Sequence, residues 1–190
     1  MKMLVTGGAG FIGSHVTDAL IGQGHEVVVI DDLSSGKREY AHPRALFVKL
    51  NILENLDDLF SQHGFDVVFH LAAIPRVQFS IKEPRKTHEA NVNGTFNLLE
   101  ACRIFGVKRF VFSSSSSVYG DQPSLPLVET MKPNPMSPYA LHKFIGETYC
   151  NLYHVLYGLE TISLRYFNVY GERQNPAGDY ACLIPKFIRF

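Results

Sequence analysis

Residues 6–13 read TGGAGFIG and lie between a short apolar run, residues 2–6, and a helical pattern, residues 11–23. The glycine spacing is G-x-x-G-x-x-G, at Gly7, Gly10 and Gly13. Because glycine has no Cβ atom, the backbone here can turn tightly and approach a pyrophosphate at the N-terminus of the following helix. A glycine-rich turn also serves ordinary loops, but its place between a strand and a helix indicates a nucleotide site.

The alternation of apolar runs and helical patterns continues along the chain. We expect strands at residues 2–6, 26–30, 45–50, 66–70, 108–112 and 161–165. We expect helices at residues 11–23, 55–62, 84–105 and 139–157, the last two stopped by Gly106 and Gly158. Strands that alternate with helices predict an α/β fold with a doubly wound parallel sheet of the Rossmann type.

The composition argues against several classes of protein. The chain has 190 residues, 46% of them hydrophobic, which is typical of a globular domain. Lys plus Arg equals Asp plus Glu at 18 each, so we expect neither nucleic acid nor a membrane surface as a partner. The longest aliphatic run, residues 27–30, is too short for a bilayer, and the absence of an apolar signal segment favours a cytoplasmic protein. Cys102, Cys150 and Cys182 are typical of reduced thiols rather than of disulfides or a zinc site, and we expect no metal.

Five consecutive serines, residues 113–117, directly follow the fifth predicted strand. A serine run is often a flexible linker between domains. Here the strand and helix alternation continues beyond it, which favours a place at the carboxyl end of a strand. Ligands bind at that edge of open α/β sheets.

Asp31 ends the second predicted strand. Its carboxylate could accept hydrogen bonds from the ribose hydroxyls of a dinucleotide and repel a 2′-phosphate, which favours NAD over NADP. Lys37 and Arg38 lie nearby and could weaken that preference. The alternative is a solvated loop carboxylate.

Tyr139 and Lys143 stand four residues apart at the start of a predicted helix and so share a face. An ammonium beside a phenol favours the phenolate, so we expect Lys143 to lower the pKa of Tyr139. Such a tyrosine could act as a general base near neutral pH. The alternative is an ordinary amphipathic helix face.

Seven short motifs follow one another along the chain. They are TGGAGFIG (6–13), DDLSSG (31–36), HLAA (70–73), NVNGT (91–95), SSSSSVYG (113–120), SPYALHK (137–143) and RYFNVYG (165–171). Together, and in this order, they resemble the extended short-chain dehydrogenase/reductases, most closely the NAD-dependent sugar-nucleotide epimerases and dehydratases. The resemblance covers the whole chain, and the combination is far more specific than any single motif.

The resemblance implies a catalytic serine at Ser115, a catalytic base at Tyr139 and its partner at Lys143. It implies an NAD site formed by Gly7, Gly10, Phe11, Ile12, Gly13, Asp31, Asp32, Leu33, Ser34, Ser35, Gly36, Asn51, Ile52, Leu71, Ala72, Ala73, Pro75, Asn91, Ser113, Tyr139, Lys143 and Phe167. In that site Asn51 and Ile52 would meet adenine, and Asn91 would lie on the nicotinamide side. The implied substrate contacts are Ser115, Tyr139, Asn168 and Leu183.

The resemblance also implies the reaction. Members of the group oxidise a hexose hydroxyl, and the implied activity is 4-epimerisation of a UDP-sugar, plain or N-acetylated, through a 4-keto intermediate. Tyr139 would take the proton of the 4-hydroxyl. Related 4,6-dehydratases carry an acid where this chain has Ser116 and Ser117, which disfavours dehydration. A homodimer is the expected assembly.

Family members are usually much longer than this chain. We therefore expect residues 1–170 to form an NAD-binding domain and residues 171–190 to begin a smaller substrate-binding domain that is largely absent. Two alternatives remain, an NAD-binding remnant without turnover and another sugar-nucleotide dehydratase or decarboxylase.

Overall fold

A single parallel sheet organises the chain. The computed structural model describes residues 1–175 together with Ile184 and Phe187. The strands are β1 (Lys2–Thr6), β2 (Glu26–Asp31), β3 (Leu46–Lys49), β4 (Val67–His70), β5 (Arg109–Ser115) and β6 (Glu160–Tyr166). Their order across the sheet is β3-β2-β1-β4-β5-β6, and every neighbouring pair is parallel. The predicted doubly wound sheet is confirmed.

Six α-helices connect the strands. They are α1 (Phe11–Gly22), α2 (Asp57–His63), α3 (Val77–Lys82), α4 (Pro84–His88), α5 (Gly94–Ile104) and α6 (Pro138–Tyr157). The predicted stops hold, since Gly106 and Gly158 have positive φ angles of 69° and 71°.

The region between β4 and β5 differs from the prediction of one helix over residues 84–105. A π-helical turn, Glu89–Asn93, separates α4 from α5. An additional helix, α3, precedes Pro84 and was not predicted. It spans only six residues, too few to show a helical period, and it ends at Lys82. The residue before a proline avoids helical backbone, which separates α3 from α4.

Two apolar layers cover the faces of the sheet. Successive strand residues point to opposite faces, so Leu4 and Val28 belong to one cluster while Val5 and Val29 belong to the other. This explains why the central strands read as continuous apolar runs. The chain runs from β1 to β3 on one side and from β4 to β6 on the other, so the order reverses between β1 and β4. Ligand crevices of such sheets lie at this switch point.

Cys102 and Cys150 are free buried thiols. Burial raises the pKa of both, that of Cys150 to about 12, so neither is a reactive thiolate. Cys182 lies outside the described residues. In the part of the chain described, no helix is long and apolar enough to cross a membrane.

Candidate active site

The glycine loop is a closely packed turn at the switch point. Gly7 has φ 71°, and a Cβ there would lie 2.8 Å from the backbone nitrogen of Ala72, in the loop after β4. A Cβ on Gly13 would lie 2.2 Å from the carbonyl oxygen of Gly7. The loop therefore admits no side chain at either position. It leads into α1 at Phe11 and Ile12, whose N–H groups are among the first of the helix and lack intrahelical acceptors. This arrangement fits a pyrophosphate.

Asp31 joins the glycine loop to the loop after β2. Its carboxylate accepts hydrogen bonds from the backbone N–H groups of Ala9 (3.0 Å) and Leu33 (2.8 Å). It is only 7% exposed, so it is not a solvated loop carboxylate. Burial raises the pKa of Asp31, while the two backbone hydrogen bonds oppose that rise. Each oxygen keeps a further lone pair, which suits the acceptance of ribose hydroxyls.

The two nearby basic residues have other partners. Lys37 pairs with Glu39 at 3.5 Å and lies over the Tyr40 ring. The Arg38 guanidinium lies 4.4 Å from the centroid of the Phe47 ring. These contacts engage both cations with groups other than Asp31. The Asp31 carboxylate therefore keeps its negative charge without a paired cation from either residue.

Asn51 and Ile52 begin the loop after β3, beside the loop after β2. The Asn51 amide donates to Asp32 at 2.9 Å, and Asp32 also accepts the N–H of Ser34 at 2.8 Å. Ile52 is buried in the core, and a Cβ on Gly94 would lie 2.5 Å from its Cδ1 atom. We therefore expect any adenine contact of Ile52 to come from its backbone. The remaining predicted residues of the loop after β2 are the exposed Ser34 and Ser35 and the half-buried Gly36.

The loop after β4 is fixed by a buried histidine. Thr6 Oγ1 accepts the N–H groups of Leu71 and Ala72 at 3.2 and 3.1 Å. Its own proton is then directed to Nδ1 of His70 at 2.8 Å, so Nε2 carries the ring proton and donates to Thr95 at 2.9 Å. Burial lowers the pKa of His70 to about 3, which keeps the ring neutral. This network holds the predicted cofactor loop, Leu71, Ala72, Ala73 and Pro75, beside Gly7.

Asn91 also supports this loop. The π-helical turn places its side chain where Oδ1 accepts the N–H of Ile74 at 2.8 Å and Nδ2 donates to the carbonyl of Ile74 at 3.1 Å. Thr95 donates to the Asn91 carbonyl at 2.7 Å. The amide of Asn91 is thus engaged by the chain itself, and its predicted place on the nicotinamide side stays a prediction.

The serine run ends β5 and forms the turn that follows, so it is not a linker. Ser115 caps a 3-10 turn, Ser116–Tyr119, in which its hydroxyl accepts the N–H of Ser117 at 3.2 Å. The hydroxyl of Ser117 donates to the same oxygen at 2.9 Å. Ser117 therefore orients Ser115, as expected of a serine present for local geometry.

The start of α6 brings Tyr139 to Ser115. Ser137 caps the helix, and the N–H of Tyr139 donates to the hydroxyl of Ser80 in α3 at 3.0 Å. A hydrogen bond with the Ser115 side chain lowers the pKa of Tyr139, but burial raises it by more. The expectation that Lys143 lowers the pKa of Tyr139 is therefore wrong for the chain without cofactor.

Lys143 is directed to the strand rather than to the phenol. Its Nζ atom donates to the carbonyl of Ser113 at 2.7 Å and lies 5.9 Å from the centroid of the Tyr139 ring. Burial lowers its pKa to about 8. Ser115, Tyr139 and Lys143 nevertheless lie together at the carboxyl end of β5, and their catalytic roles stay predictions.

The residues predicted on the substrate side are more open. Phe167 is 60% exposed just after β6, and its ring lies 6.5 Å from that of Tyr119. Asn168 is exposed beside it. Leu183 lies outside the described residues. The roles of Ser80, His70 and Thr95 were not predicted, because a single buried polar residue has no period that reveals its partner.

The amino-acid sequence matches a known family. The profile of the NAD dependent epimerase/dehydratase family matches residues 3–190. A putative UDP-glucose 4-epimerase from Methanocaldococcus jannaschii is 45% identical over 188 residues, which cover 98% of this chain and 61% of that protein. The chain therefore spans about three fifths of the length of this relative.

Solved structures with the same fold show similar identities. The UDP-glucose 4-epimerase of Thermotoga maritima with UDP-glucose matches with a TM-score of 0.95 and 44% identity, over 98% of this chain and 62% of that one. A UDP-N-acetylglucosamine 4-epimerase from Methanobrevibacter ruminantium, in complex with UDP-N-acetylmuramic acid, matches with a TM-score of 0.93 and 42% identity, over 99% and 61%. The UDP-glucose 4-epimerase of Thermus thermophilus in complex with NAD has a TM-score of 0.91 and 43% identity, over 94% and 59%.

Proposed function

The chain belongs to the NAD dependent epimerase/dehydratase family, and we propose that the protein containing it is an NAD-dependent UDP-hexose 4-epimerase. The observation that carries the proposal is the meeting of Ser115, Tyr139 and Lys143 at the carboxyl end of β5. The substrates would be UDP-glucose and UDP-galactose or their N-acetylated forms. The solved relatives include enzymes named for both kinds of sugar at nearly equal identity, so similarity alone does not choose between them.

The chain would hold NAD through its backbone and a few polar groups. The N-terminus of α1 would bind the pyrophosphate, and Asp31 would accept the ribose hydroxyls. Of the three ammonium protons of Lys143, one is used by Ser113, which leaves two for the nicotinamide ribose. Bound NAD would supply the redox step of the reaction, taking up and returning hydride at the sugar carbon.

Tyr139 would move the proton. As the phenolate, its side chain would accept the proton of the sugar 4-hydroxyl and later return it, with Ser115 hydrogen-bonded to the same sugar oxygen. In the chain without cofactor, burial raises the pKa of Tyr139 above its usual value, so the side chain is a protonated phenol at neutral pH. The positive charge of a bound nicotinamide, together with that of Lys143, would lower its pKa, so the base would form only when the site is loaded.

The turn after β5 argues against dehydration. Ser116 and Ser117 occupy the positions next to Ser115, and Ser117 uses its hydroxyl to hold Ser115. No carboxylic acid stands at either position to protonate a leaving hydroxyl. A 4,6-dehydratase would need such an acid.

The domain division and the assembly belong to the same proposal. Residues 1–170 would bind NAD, and residues 171–190 would begin the part that closes over the sugar. The exposed apolar side chains of α5 and α6 support a homodimer. They include Phe96, Ile104, Leu152, Val155 and Leu156.

The experiment is product analysis by NMR on the full-length protein with NAD. We expect UDP-glucose and UDP-galactose, or the two N-acetylated sugars, to interconvert at C4. A 4-keto-6-deoxy product would replace the epimerase by a dehydratase. The second candidate is an NAD-binding protein without turnover. Tight NAD binding with no product from any of the four sugars would support that candidate instead.

A further inference from the structure

Glu147 continues the stripe of α6 that carries Tyr139 and Lys143. It lies four residues after Lys143 and eight after Tyr139, so all three project from the same side of the helix. Its carboxylate accepts a hydrogen bond from the Ser114 hydroxyl and a two-pronged pair from Arg165. The Nε and Nη2 atoms of Arg165 lie 2.9 and 2.7 Å from its two oxygens. The side chains are only 12% and 18% exposed.

Arg165 links this carboxylate to the strand that ends in Ser115. It lies opposite Ser114 in the register of β5 and β6. Its guanidinium also stacks on Tyr119, 4.5 Å from the ring centroid. Tyr119 belongs to the 3-10 turn that Ser115 caps. One ion pair therefore contacts α6, β5, β6 and the turn after β5.

We propose that Glu147 and Arg165 are positioning residues, whose ion pair sets the register of α6 against the end of β5 and thereby brings the Tyr139 phenol to the Ser115 hydroxyl. The inference rests on the proposed epimerase function.

Apolar packing does not fix this register as closely. Gly146 packs on the Phe112 ring, where a Cβ would lie 2.4 Å from a ring atom, and such a contact limits approach but permits sliding. A two-pronged guanidinium–carboxylate pair has a defined geometry. Buried ion pairs contribute little net stability but can define one arrangement among several.

The test uses Glu147→Gln and Arg165→Lys in the full-length protein. We expect kcat to fall on the order of 10- to 10²-fold, because a small misplacement of reacting groups has that effect. The KM for the UDP-sugar and the affinity for NAD should stay near wild type. The matched control is Glu160→Gln. Glu160 pairs with Arg109 at the opposite end of the same two strands, where the two side chains are 58% and 50% exposed. This control should keep the wild-type kcat.

A loss of folding must be separated from a loss of register. Removing one partner leaves the other buried and unpaired, whereas replacing both by apolar residues is often tolerated. Glu147→Leu/Arg165→Met should therefore recover thermal stability without recovering kcat. Wild-type kcat in a stable double variant would overturn the inference.

A second readout does not need turnover. The Ser115 contact lowers the pKa of Tyr139, so a shifted helix should raise it. A spectrophotometric titration, corrected with Tyr139→Phe, should show this rise in Glu147→Gln and not in Glu160→Gln. If the wild-type protein epimerises no sugar, the proposed function fails while this titration still decides the inference. An unchanged titration in Glu147→Gln would refute the positioning role.

Discussion

The Nζ atom of Lys143 lies 2.7 Å from the carbonyl oxygen of Ser113, the residue two positions before Ser115 on β5. This bond joins α6 to the strand that ends at the site. Because the ammonium is buried, its pKa falls from 10.5 to about 8. The buried charge of Lys143 therefore lowers the free energy of unfolding at neutral pH, and this loss is the cost of holding Lys143 charged.

That cost predicts a pH dependence of stability. Below about pH 8 both folded and unfolded states hold the proton, and the cost is fully present. Between about 8 and 10.5 the unfolded chain keeps its proton while the folded chain has released it, so the free energy of unfolding rises with pH. The rise is at most about 1.4 kcal/mol per pH unit. Urea unfolding of wild type and Lys143→Met without NAD, from pH 7.5 to 9.5, should show this rise in the difference between them.

The free energy of unfolding of Lys143→Met has to be subtracted from that of wild type, because other titrating groups lower stability as the pH rises. The pKa of Cys150 is raised to about 12, so its titration lowers stability as the pH rises above its usual value. Lys108→Met is the control, since Lys108 pairs with Asp66 at 2.9 Å on the surface. A pH-independent difference between wild type and Lys143→Met would contradict the lowered pKa.

Tyr139→Phe should keep NAD binding and lose epimerisation. Removal of a general base lowers the rate on the order of 10²- to 10⁴-fold. Tyr149→Phe is the matched control, because Tyr149 lies on the same helix, where its ring packs against Phe96. Steady-state kinetics of both variants, with calorimetric NAD titration, give the comparison. Turnover by Tyr139→Phe at the wild-type rate would remove Tyr139 from its role.

The strands of the sheet were predictable because each one is visible as a short run of apolar residues in the sequence. All six strands were expected, β1 with its bounds and the others with ends shifted by at most three residues, since buried parallel strands read as apolar runs. The helix over residues 84–105 was predicted too simply. Its π-helical turn, Glu89–Asn93, contains Asn91, which contacts Ile74. That contact crosses 17 residues of sequence and leaves no periodic signal.

The site residues also fall into those that the sequence reveals and those that only the fold reveals. Residues on one short segment, such as Tyr139 and Lys143, were found from their spacing. The direction of the Tyr139 pKa was predicted wrongly, because burial raises this pKa by more than the hydrogen bond with Ser115 lowers it. Glu147 stood in the same helical series, but only the fold shows that it faces Ser114 and Arg165.

Gly13→Ala should abolish or greatly weaken NAD binding. Its Cβ would lie 2.2 Å from the backbone oxygen of Gly7, so the glycine loop would have to move away from the pyrophosphate position. Gly22→Ala is the matched control on the same helix, where a Cβ would meet no atom within 4 Å. The control should be neutral or slightly stabilising, because alanine is the better helix former. Equal NAD affinity in the two variants, measured by calorimetry, would show that the loop does not hold the pyrophosphate.

NAD should bind more tightly than NADP. The buried Asp31 carboxylate would repel a 2′-phosphate, and the contacts of Lys37 with Glu39 and of Arg38 with Phe47 hold the nearest cations elsewhere. Asp31→Asn removes the negative charge and should reduce the ratio of NAD affinity to NADP affinity. Asp66→Asn, at the amino end of β4 on the opposite side of the sheet from the site, should leave this ratio unchanged. Calorimetry with both cofactors decides the matter, and equal or tighter NADP binding by the wild-type chain would refute the assignment.

The 190-residue chain alone should bind NAD and show little or no epimerisation. The glycine loop, Asp31 and Lys143 lie in the six-stranded sheet or in the connections between its strands, so the residues predicted to hold NAD are all among the described residues. On the substrate side, Phe167 and Asn168 after β6 are exposed. A keto sugar has to be retained and shielded from water while it turns, and shielding also strengthens the electrostatic effect of Lys143 on Tyr139. The measurement is NAD titration beside a coupled epimerase assay on residues 1–190, with the Gly13→Ala chain as the control for specific binding. Robust turnover by this chain would show that the pocket needs far less of the remaining sequence than the relatives possess.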